Sequence, residues 1–454
     1  MFSAFLNMIK IKELRTRLLF TAGIIILVRF ASNIPCPGVN PAALKAYFEQ
    51  HLSHSGSTGG SLMNMFDLFS GGALSQFALA TLGIMPYITA SIIMQLLVPV
   101  IPALEKLQRE GDVGRQKINQ YTRYLTVLVC LIQGTMAAMT MIDPSRVGLP
   151  HAEIPLVFST GGGFILMTVI VLTSATMLEV WLGEQITARG IGNGVSIIIT
   201  IGIIARMPQA VIQLVTMALD QSTASGNSFK PVQLLILLML FALVTAFTIM
   251  LSQGQRRIPI QMVKKSVGNQ VQGGTTYMPL KVNFSGVMPI IFASALLMFP
   301  GLLLQWVQWH QIANAIRYGS IGYMIMDGAM ILAFSYFWVA NQFNPIQIAD
   351  NLKNQGAYIP GIRPGTPTAD FLDASMTRIT LCGALFLAAL AIFPTILTEY
   401  FKVPFMVAQF FGGTSLLIMV GVVLDTLSQL ESHLTMRNYE GFLKHGRLRS
   451  RSGK

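Results

Sequence analysis

Charged side chains are scarce in this sequence, at 11% of residues, while hydrophobic ones make up 53% and the mean hydropathy is +0.59. Soluble globular domains carry roughly 25% charged residues, which keep their surfaces in water. A soluble fold is therefore disfavoured. The composition instead predicts an all-α polytopic membrane protein, because helices satisfy their own backbone hydrogen bonds in lipid.

Cysteine and histidine are also sparse, and neither forms a recognisable site. The three cysteines, Cys36, Cys130 and Cys382, are an odd number without a Cys-x-x-Cys pair, and the six histidines do not cluster at metal-ligand spacing. We expect no disulfide framework, no metal and no cofactor. Because no catalytic dyad or triad is visible either, the sequence does not predict an enzyme.

A glycine-rich stretch at 190–194, GIGNG, superficially resembles a phosphate-binding loop. A P-loop needs a preceding strand and a Lys-Ser/Thr pair at fixed spacing, and this stretch has neither. The interpretation that fits is a helix start, with Asn193 as the N-cap of the following span.

Apolar stretches long enough to cross a membrane recur ten times along the chain. The first has basic flanks like a signal peptide but lacks a small-residue cleavage site, so we interpret it as a retained span. The predicted spans are 18–34, 76–101, 124–142, 155–178, 195–219, 232–251, 286–307, 322–343, 381–397 and 403–424.

The net charge of +12 is first a signal of topology. Most of the 31 lysine and arginine residues fall in the N-terminal segment 1–17, in alternate loops and in the tail 425–454. Such loops face the cytoplasm, so both termini are predicted to be cytoplasmic, and the charge does not indicate direct DNA binding. Ten spans divide into halves 18–219 and 220–424, and two five-helix halves would have inverted topology.

A short amphipathic piece at 62–74, LMNMFDLFSGGAL, precedes the second span. Its 13 residues reach only about 20 Å as a helix, against roughly 30 Å of hydrocarbon. It also contains Asn64, Asp67 and the hinge-like pair Gly71 and Gly72. We predict a re-entrant half-helix at 62–73 that lies inside a protein cavity and can close a hole.

Ionisable residues inside the spans are few. Arg29 and Arg206 lie near span ends, where snorkelling to the interface is the favoured interpretation. Glu179 and Glu184 border the loop after the fourth span and are interpreted as a solvated helix end. The spans offer small polar groups instead, among them Gln95 and Gln133.

Two of the predicted cytoplasmic loops are unusually structured. Residues 254–283 contain alternating IPIQMV and TTYMPL runs around a glycine-rich turn, which predicts a β-hairpin. The loop 344–377 is too long for a plain connector, and its Pro-Gly-Ile-Arg-Pro-Gly core would hold Arg363 at the tip of a constrained turn. Arg363 would then meet an acidic or phosphate-bearing partner, or be an ordinary surface arginine.

Several long, ungapped stretches closely resemble the SecY family, the channel subunits of the bacterial protein translocase. They are MNMFDLFSGGALS (63–75), LGIMPYITASIIMQLL (82–97), WLGEQITARGIGNGVSIII (181–199), GQRRIPIQ (254–261), MPLKVNFSGVMPIIFAS (278–294), NPIQIADNLKNQGAYIPGIRPG (344–365) and KVPFMVAQFFGGTSLLI (402–418). The resemblance implies a ten-helix clamshell in the bacterial plasma (inner) membrane, with an hourglass pore and a lateral gate between spans two and three and spans seven and eight.

The resemblance also implies roles for individual residues. The plug would be Asn64, Met65, Phe66, Asp67, Leu68, Phe69, Ser70, Gly71 and Gly72, and the pore ring Ile84, Ile88, Ile199, Ile291 and Ile418. Taken singly, each isoleucine could equally be ordinary helix packing. Gln95 and Gln133 would lie at the lateral gate, and Arg256, Arg257 and Arg363 would dock a partner. Some relatives carry a second arginine pair at the hairpin tip, where this chain has Val267-Gly268-Asn269-Gln270.

Two functions remain open at this point. The favoured one is a protein-conducting channel that passes unfolded polypeptides and releases transmembrane segments sideways into lipid. Its implied partners are the small subunits SecE and SecG, the SecA ATPase motor, the ribosome, signal-sequence-bearing polypeptides and membrane lipid. The alternative is a secondary transporter, which also uses inverted repeats but needs a charged or ion-binding site at the midplane.

Overall fold

The structure is a computed structural model. It describes residues 12–52, 67, 70–144, 155–219, 231–262, 265–267, 270–272, 275–294, 296–297, 319–401 and 403–445. Five predicted plug residues, Asn64, Met65, Phe66, Leu68 and Phe69, therefore lie outside the described residues.

The described chain is mostly helical, with one small sheet. In order, the helices are α1 (Lys12–Ala31), α2 (Pro41–Leu52), α3 (Met85–Leu97), α4 (Pro102–Arg109), α5 (Asp112–Ile142), α6 (Gly162–Arg189), α7 (Gly194–Leu219) and α8 (Pro231–Gln253). The strands β1 (Gln255–Met262), β2 (Lys265–Val267), β3 (Gln270–Gln272) and β4 (Thr275–Lys281) follow. The chain continues with α9 (Ile321–Gln342), α10 (Pro345–Asn354), β5 (Ala357–Tyr358), α11 (Thr366–Glu399), α12 (Phe405–Gly412) and α13 (Thr414–His445).

Seven helices in the described part of the chain are long and apolar enough to cross a membrane, and the bent pair α3–α4 would make eight. The predicted class, a helical polytopic membrane protein, is therefore confirmed. The count of ten stays a prediction, because α1, over the first predicted span, is not among these eight and the seventh predicted span, 286–307, is described only in part.

Two predicted span boundaries are wrong. Residues 76–84 form turns, and the second span becomes helical only at Met85, because Pro86 starts the helix and Gly83 has a φ of +53°. α3 then ends at Leu97, and α4 leaves it at an angle of 102°. The fourth span begins at Gly162 rather than at 155, because residues before it pair with the chain ahead of α2 through the bridge between Val39 and Val157.

The predicted hairpin is confirmed. Strands β1 and β4 pair in antiparallel register, from Gln255 opposite Lys281 to Gln261 opposite Thr275, and β5 adds a third strand beside β1. Ile258 and Leu280 on the sheet are buried against Phe343 at the end of α9 and against α11. The sheet is therefore packed onto the helix ends.

The predicted cap of α7 is confirmed as well. The Asn193 side-chain oxygen accepts a hydrogen bond from the Ser196 N–H at 3.3 Å, and the Asn193 carbonyl accepts one from Ile197 at 3.0 Å. The glycine-rich stretch thus starts a helix.

The three cysteines are free thiols, and burial raises the pKa of the Cys36 thiol in the loop between α1 and α2.

Candidate pore and plug site

A small cavity lies between α1, α6, α7 and the start of α3. The cavity is lined by apolar side chains, by small polar groups and by the charged residues Arg29 and Glu179. The lining residues are Val28, Arg29, Ser32, Ser70, Gly83, Ile84, Met85, Ile88, Glu179, Ile198 and Ile199.

Three isoleucines of the predicted pore ring, Ile84, Ile88 and Ile199, line this cavity. Ile84 and Ile88 are one helical turn apart at the start of α3 and belong to one buried apolar cluster. Ile418 on α13 belongs to an adjoining cluster. Ile199 on α7 and Ile291 pack against both clusters, so they connect the two. Segments far apart in sequence therefore bring branched apolar side chains into two adjoining clusters.

The chain before α3 forms a compact turn of Asp67 and residues 70–75, which we call the 67–75 turn. The Asp67 carbonyl accepts from the Gly72 N–H at 2.9 Å, and its Oδ1 accepts from the Ser75 N–H at 2.8 Å. The Ser70 hydroxyl accepts from the Leu74 N–H at 3.3 Å. Asp67 thus closes the turn with both its backbone and its side chain.

Arg206 on α7 holds this turn through a buried ion pair. Its Nη2 donates to Asp67 Oδ2 and to the Ser75 hydroxyl, the latter at 2.8 Å, and its Nη1 donates to Gln209. Asp67 is 3% exposed and Arg206 is 8% exposed, so water screens the pair very little. The pair connects residues 139 positions apart in the sequence.

Arg29 on α1 holds the same turn from the other side, where its Nη1 donates to the Gly71 carbonyl at 3.2 Å. Gly71 and Gly72 have φ values of +65° and +93°, which glycine adopts without strain. A Cβ on Gly71 would lie 2.5 Å from Arg29 Nη1, and one on Gly72 would lie 2.7 Å from Arg206 Cζ. The two guanidinium groups therefore pack directly against consecutive glycines.

The structure overturns the sequence-based interpretation of Arg29, Arg206 and Glu179. Arg206 is buried in an ion pair and Arg29 binds the 67–75 turn, so the snorkelling interpretation is wrong for both. Glu179 is 3% exposed and faces the cavity, so it is not a solvated helix end. Glu184 pairs with Arg123 on α5 at 2.8 Å and is only partly exposed.

Sequence reasoning also missed Asp327, which is buried within α9 at 6% exposure. Its Oδ1 has no hydrogen-bond partner among the described residues. A lone aspartate inside a predicted span was the signal that could have identified it, because carboxylates at such positions are rare.

The predicted lateral-gate residues lie on neighbouring helices. Gln95 on α3 donates to the Ser91 hydroxyl at 3.2 Å, and the partly buried Gln133 lies on α5, which packs against α3. Phe292 packs edge-on against Trp338 of α9, with ring centroids 5.6 Å apart. Both aromatic residues belong to the apolar cluster that contains Ile84 and Ile88, so elements from both predicted halves are in contact here.

The predicted docking arginines lie on the β-sheet and on the turn that follows it. Arg256 and Arg257 are exposed near the start of β1, and Arg363 is exposed after β5. Ile362 N–H donates to the Ile359 carbonyl at 3.1 Å, and Thr368 Oγ1 donates to the Arg363 carbonyl at 2.8 Å. The predicted constrained turn is therefore present, and the sheet connects both arginine sites.

Known proteins resemble this chain in sequence and in fold. The SecY family model matches residues 78–427. The chain is 42% identical over 453 residues to the protein translocase subunit SecY of Chlamydia trachomatis serovar D, covering 97% of this chain and 98% of the relative. It is 41% identical over 445 residues to the same subunit of Escherichia coli K12, covering 96% and 95%.

Solved structures share the fold. One, described as a protein conducting channel, aligns with a TM-score of 0.60 at 18% identity and covers 92% of each chain. Sec61 in the canine ribosome-channel complex from the endoplasmic reticulum aligns with a TM-score of 0.56 at 16% identity, also over 92% of each chain. The family model covers more than half of the sequence, and the relatives match it almost end to end. The chain belongs to the SecY family.

Proposed function

We propose that this protein is the channel subunit of a protein translocase, which passes unfolded polypeptides through a constriction formed by Ile84, Ile88, Ile199, Ile291 and Ile418. The observation that supports this most strongly is that these side chains, from four separate segments, lie in two adjoining apolar clusters, and that three of them line a cavity together with Ser70 of the 67–75 turn. Membership of the SecY family and the names of the relatives support the same function.

The chemistry of the constriction suits such a substrate. Branched apolar side chains form no directional bonds, so they can surround an extended chain of any sequence. A narrow apolar throat also loses its water readily, which resists the passage of ions. The ring would therefore act as a gasket during translocation and as part of the barrier at rest.

In this proposal, residues 64–72 are the plug that closes the pore at rest. The contacts of Arg29 and Arg206 hold the described end of that segment against α1 and α7. An incoming signal sequence would insert between α3 and α9, separating the α3 side chains Ile88 and Ile92 from Phe292 and Trp338. That opening would displace the plug and expose the pore to lipid.

The chain itself would carry no catalytic step, so its energy would come from a partner such as the SecA ATPase or a translating ribosome. Arg256, Arg257 and Arg363 are exposed where such a partner could bind them through acidic or phosphate groups. SecE and SecG would complete the complex in the bacterial plasma membrane. Both termini would be cytoplasmic, with halves 18–219 and 220–424 related by inversion.

The direct test is reconstitution of the protein with its partner subunits in proteoliposomes. With SecA and ATP, a signal-bearing precursor should become resistant to added protease, and a precursor without a signal should not. Deletion of residues 64–72 should raise resting ion conductance in planar bilayers. Failure to protect any precursor, with folded complex present, would contradict the proposal.

The secondary transporter is the second candidate, because Asp327 and Glu179 are buried carboxylates in predicted spans. A transporter would take up a small solute driven by an ion gradient, without a motor or a ribosome. Such uptake, abolished by Asp327→Asn, would favour it over the channel.

A further inference from the structure

Four charged side chains from four separate parts of the chain meet around the 67–75 turn. Asp67 belongs to the turn, Arg29 to α1, Glu179 to α6 and Arg206 to α7. Their formal charges cancel, with two acidic and two basic groups. Three of the four are less than 9% exposed, so this is a buried charge cluster within the membrane-spanning part of the protein.

Buried charges are costly unless they are paired. Removing both ions of a pair together is often tolerated, whereas removing one leaves the other uncompensated in an apolar environment and is strongly destabilising. Asp67 has its two oxygens on Arg206 Nη2 and the Ser75 N–H, and Arg206 uses both Nη atoms. Both oxygens of the Asp67 carboxylate therefore have a donor, one from Arg206 and one from the turn itself.

We propose that the Asp67–Arg206 pair is an electrostatic latch that sets how readily this channel opens, and that Arg29 on the Gly71 carbonyl supports it. This inference rests on the proposed function, since it concerns the opening of the same pore. The latch makes Arg206 a positioning residue for the plug. Its strength determines how hydrophobic a signal sequence must be before the channel responds.

The latch acts on the closed state because its two halves belong to parts that separate on opening. Arg206 is fixed on α7 and bonded to Gln209 of the same helix, whereas Asp67 moves with the turn. Once the turn leaves its seat, water can hydrate both ions, so the pair no longer favours either arrangement. A signal that binds the open state must exceed the free energy that the pair gives to the closed state.

The experiment compares resting ion conductance per folded complex for Asp67→Asn, Arg206→Gln and the double variant. Each single variant leaves an unpaired buried charge and should raise open probability by roughly a hundredfold to a thousandfold, the scale of breaking a buried pair. The double variant removes both charges and should leak less than either single one. The matched control is Arg123→Gln, which breaks the half-exposed pair with Glu184 away from the turn and should leave conductance unchanged.

The latch would be overturned if the double variant raised conductance over wild type by as much as, or more than, the two single variants together. The two residues would then act independently. Wild-type conductance in both single variants would also overturn it. If a single variant does not fold, the resting conductance of the double variant, compared with wild type, tests the latch alone. Conductance above wild type then supports the latch, because the closed state has lost the free energy of the pair, and wild-type conductance contradicts it.

A second readout separates this inference from the proposed function. Precursors with shortened hydrophobic signals should be translocated better by Asp67→Asn than by the wild type, while precursors with normal signals should be unaffected. If the wild type translocates no precursor at all, the proposed function fails. The conductance comparison then still tests whether the pair holds the turn in place.

Discussion

Replacement of Gly71 with alanine would place a methyl group where the structure has no room for one. The added Cβ would lie 2.5 Å and 2.7 Å from the two terminal nitrogens of Arg29 and 2.8 Å from the Cα of Gly202. The arginine can move, but the Gly202 contact is with the backbone of α7. The turn itself would therefore have to shift away from its seat.

The free-energy cost of Gly71→Ala in the closed state has two parts. An L-residue at a φ of +65° costs roughly 1–2 kcal/mol. The overlap with α7 adds about 1–3 kcal/mol, the range for forcing extra volume into a packed site. Both costs apply only while the turn is seated, so a total of about 2–5 kcal/mol shifts the balance toward the displaced state. Even the lower figure corresponds to about thirtyfold.

The assay is resting ion conductance per folded complex in planar bilayers, with Gly71→Ala compared against Gly111→Ala. Gly111, between α4 and α5, also has a positive φ, +76°, but a Cβ there meets nothing within 4 Å. The control therefore carries the backbone strain without the clash at the plug. Equal conductance in Gly71→Ala and wild type would refute the reasoning, because the turn would then not seal the pore.

Three further predictions concern the ring, the docking loop and the cap of α7. Ile84→Gly combined with Ile88→Gly should hydrate the constriction, raise ion leak and allow export of a precursor with a defective signal, and so should Ile418→Asn alone. Lower protein abundance with unchanged conductance per channel would instead indicate that these residues only pack the core. Arg363→Glu should weaken partner-driven translocation while membrane insertion stays normal, and normal translocation would remove its docking role. Asn193→Ala should lower stability by about 1 kcal/mol in a denaturation series, with no gain of leak.

Local features of the fold could be predicted from the sequence because their causes are local. The β1–β4 hairpin follows from alternating apolar residues around a glycine-rich turn, and the Asn193 cap depends on residues three or four positions away. Hydropathy also found the long helices. It misplaced the start of the second span because residues 76–84, which form turns ahead of the helix that Pro86 starts, are as apolar as the helix itself.

The candidate site was harder to predict because it depends on contacts between distant residues. Nothing near Arg206 in the sequence indicates that its partner is Asp67, 139 positions away. Snorkelling was favoured because an arginine near a span end needs no internal partner, and only tertiary packing supplies one. Each ring isoleucine, such as Ile291, is likewise indistinguishable from core packing until the helices assemble.

The central claim is that polypeptides pass through the isoleucine ring, and disulfide cross-linking tests it most directly. A precursor with one cysteine is stalled during translocation through complexes that carry Ile84→Cys or Ile418→Cys in a background without the three native cysteines. The comparison variant is Leu235→Cys on the exposed face of α8. Cross-links to both ring positions and none to position 235 are the predicted result. Cross-links at position 235 with none at the ring would contradict the account.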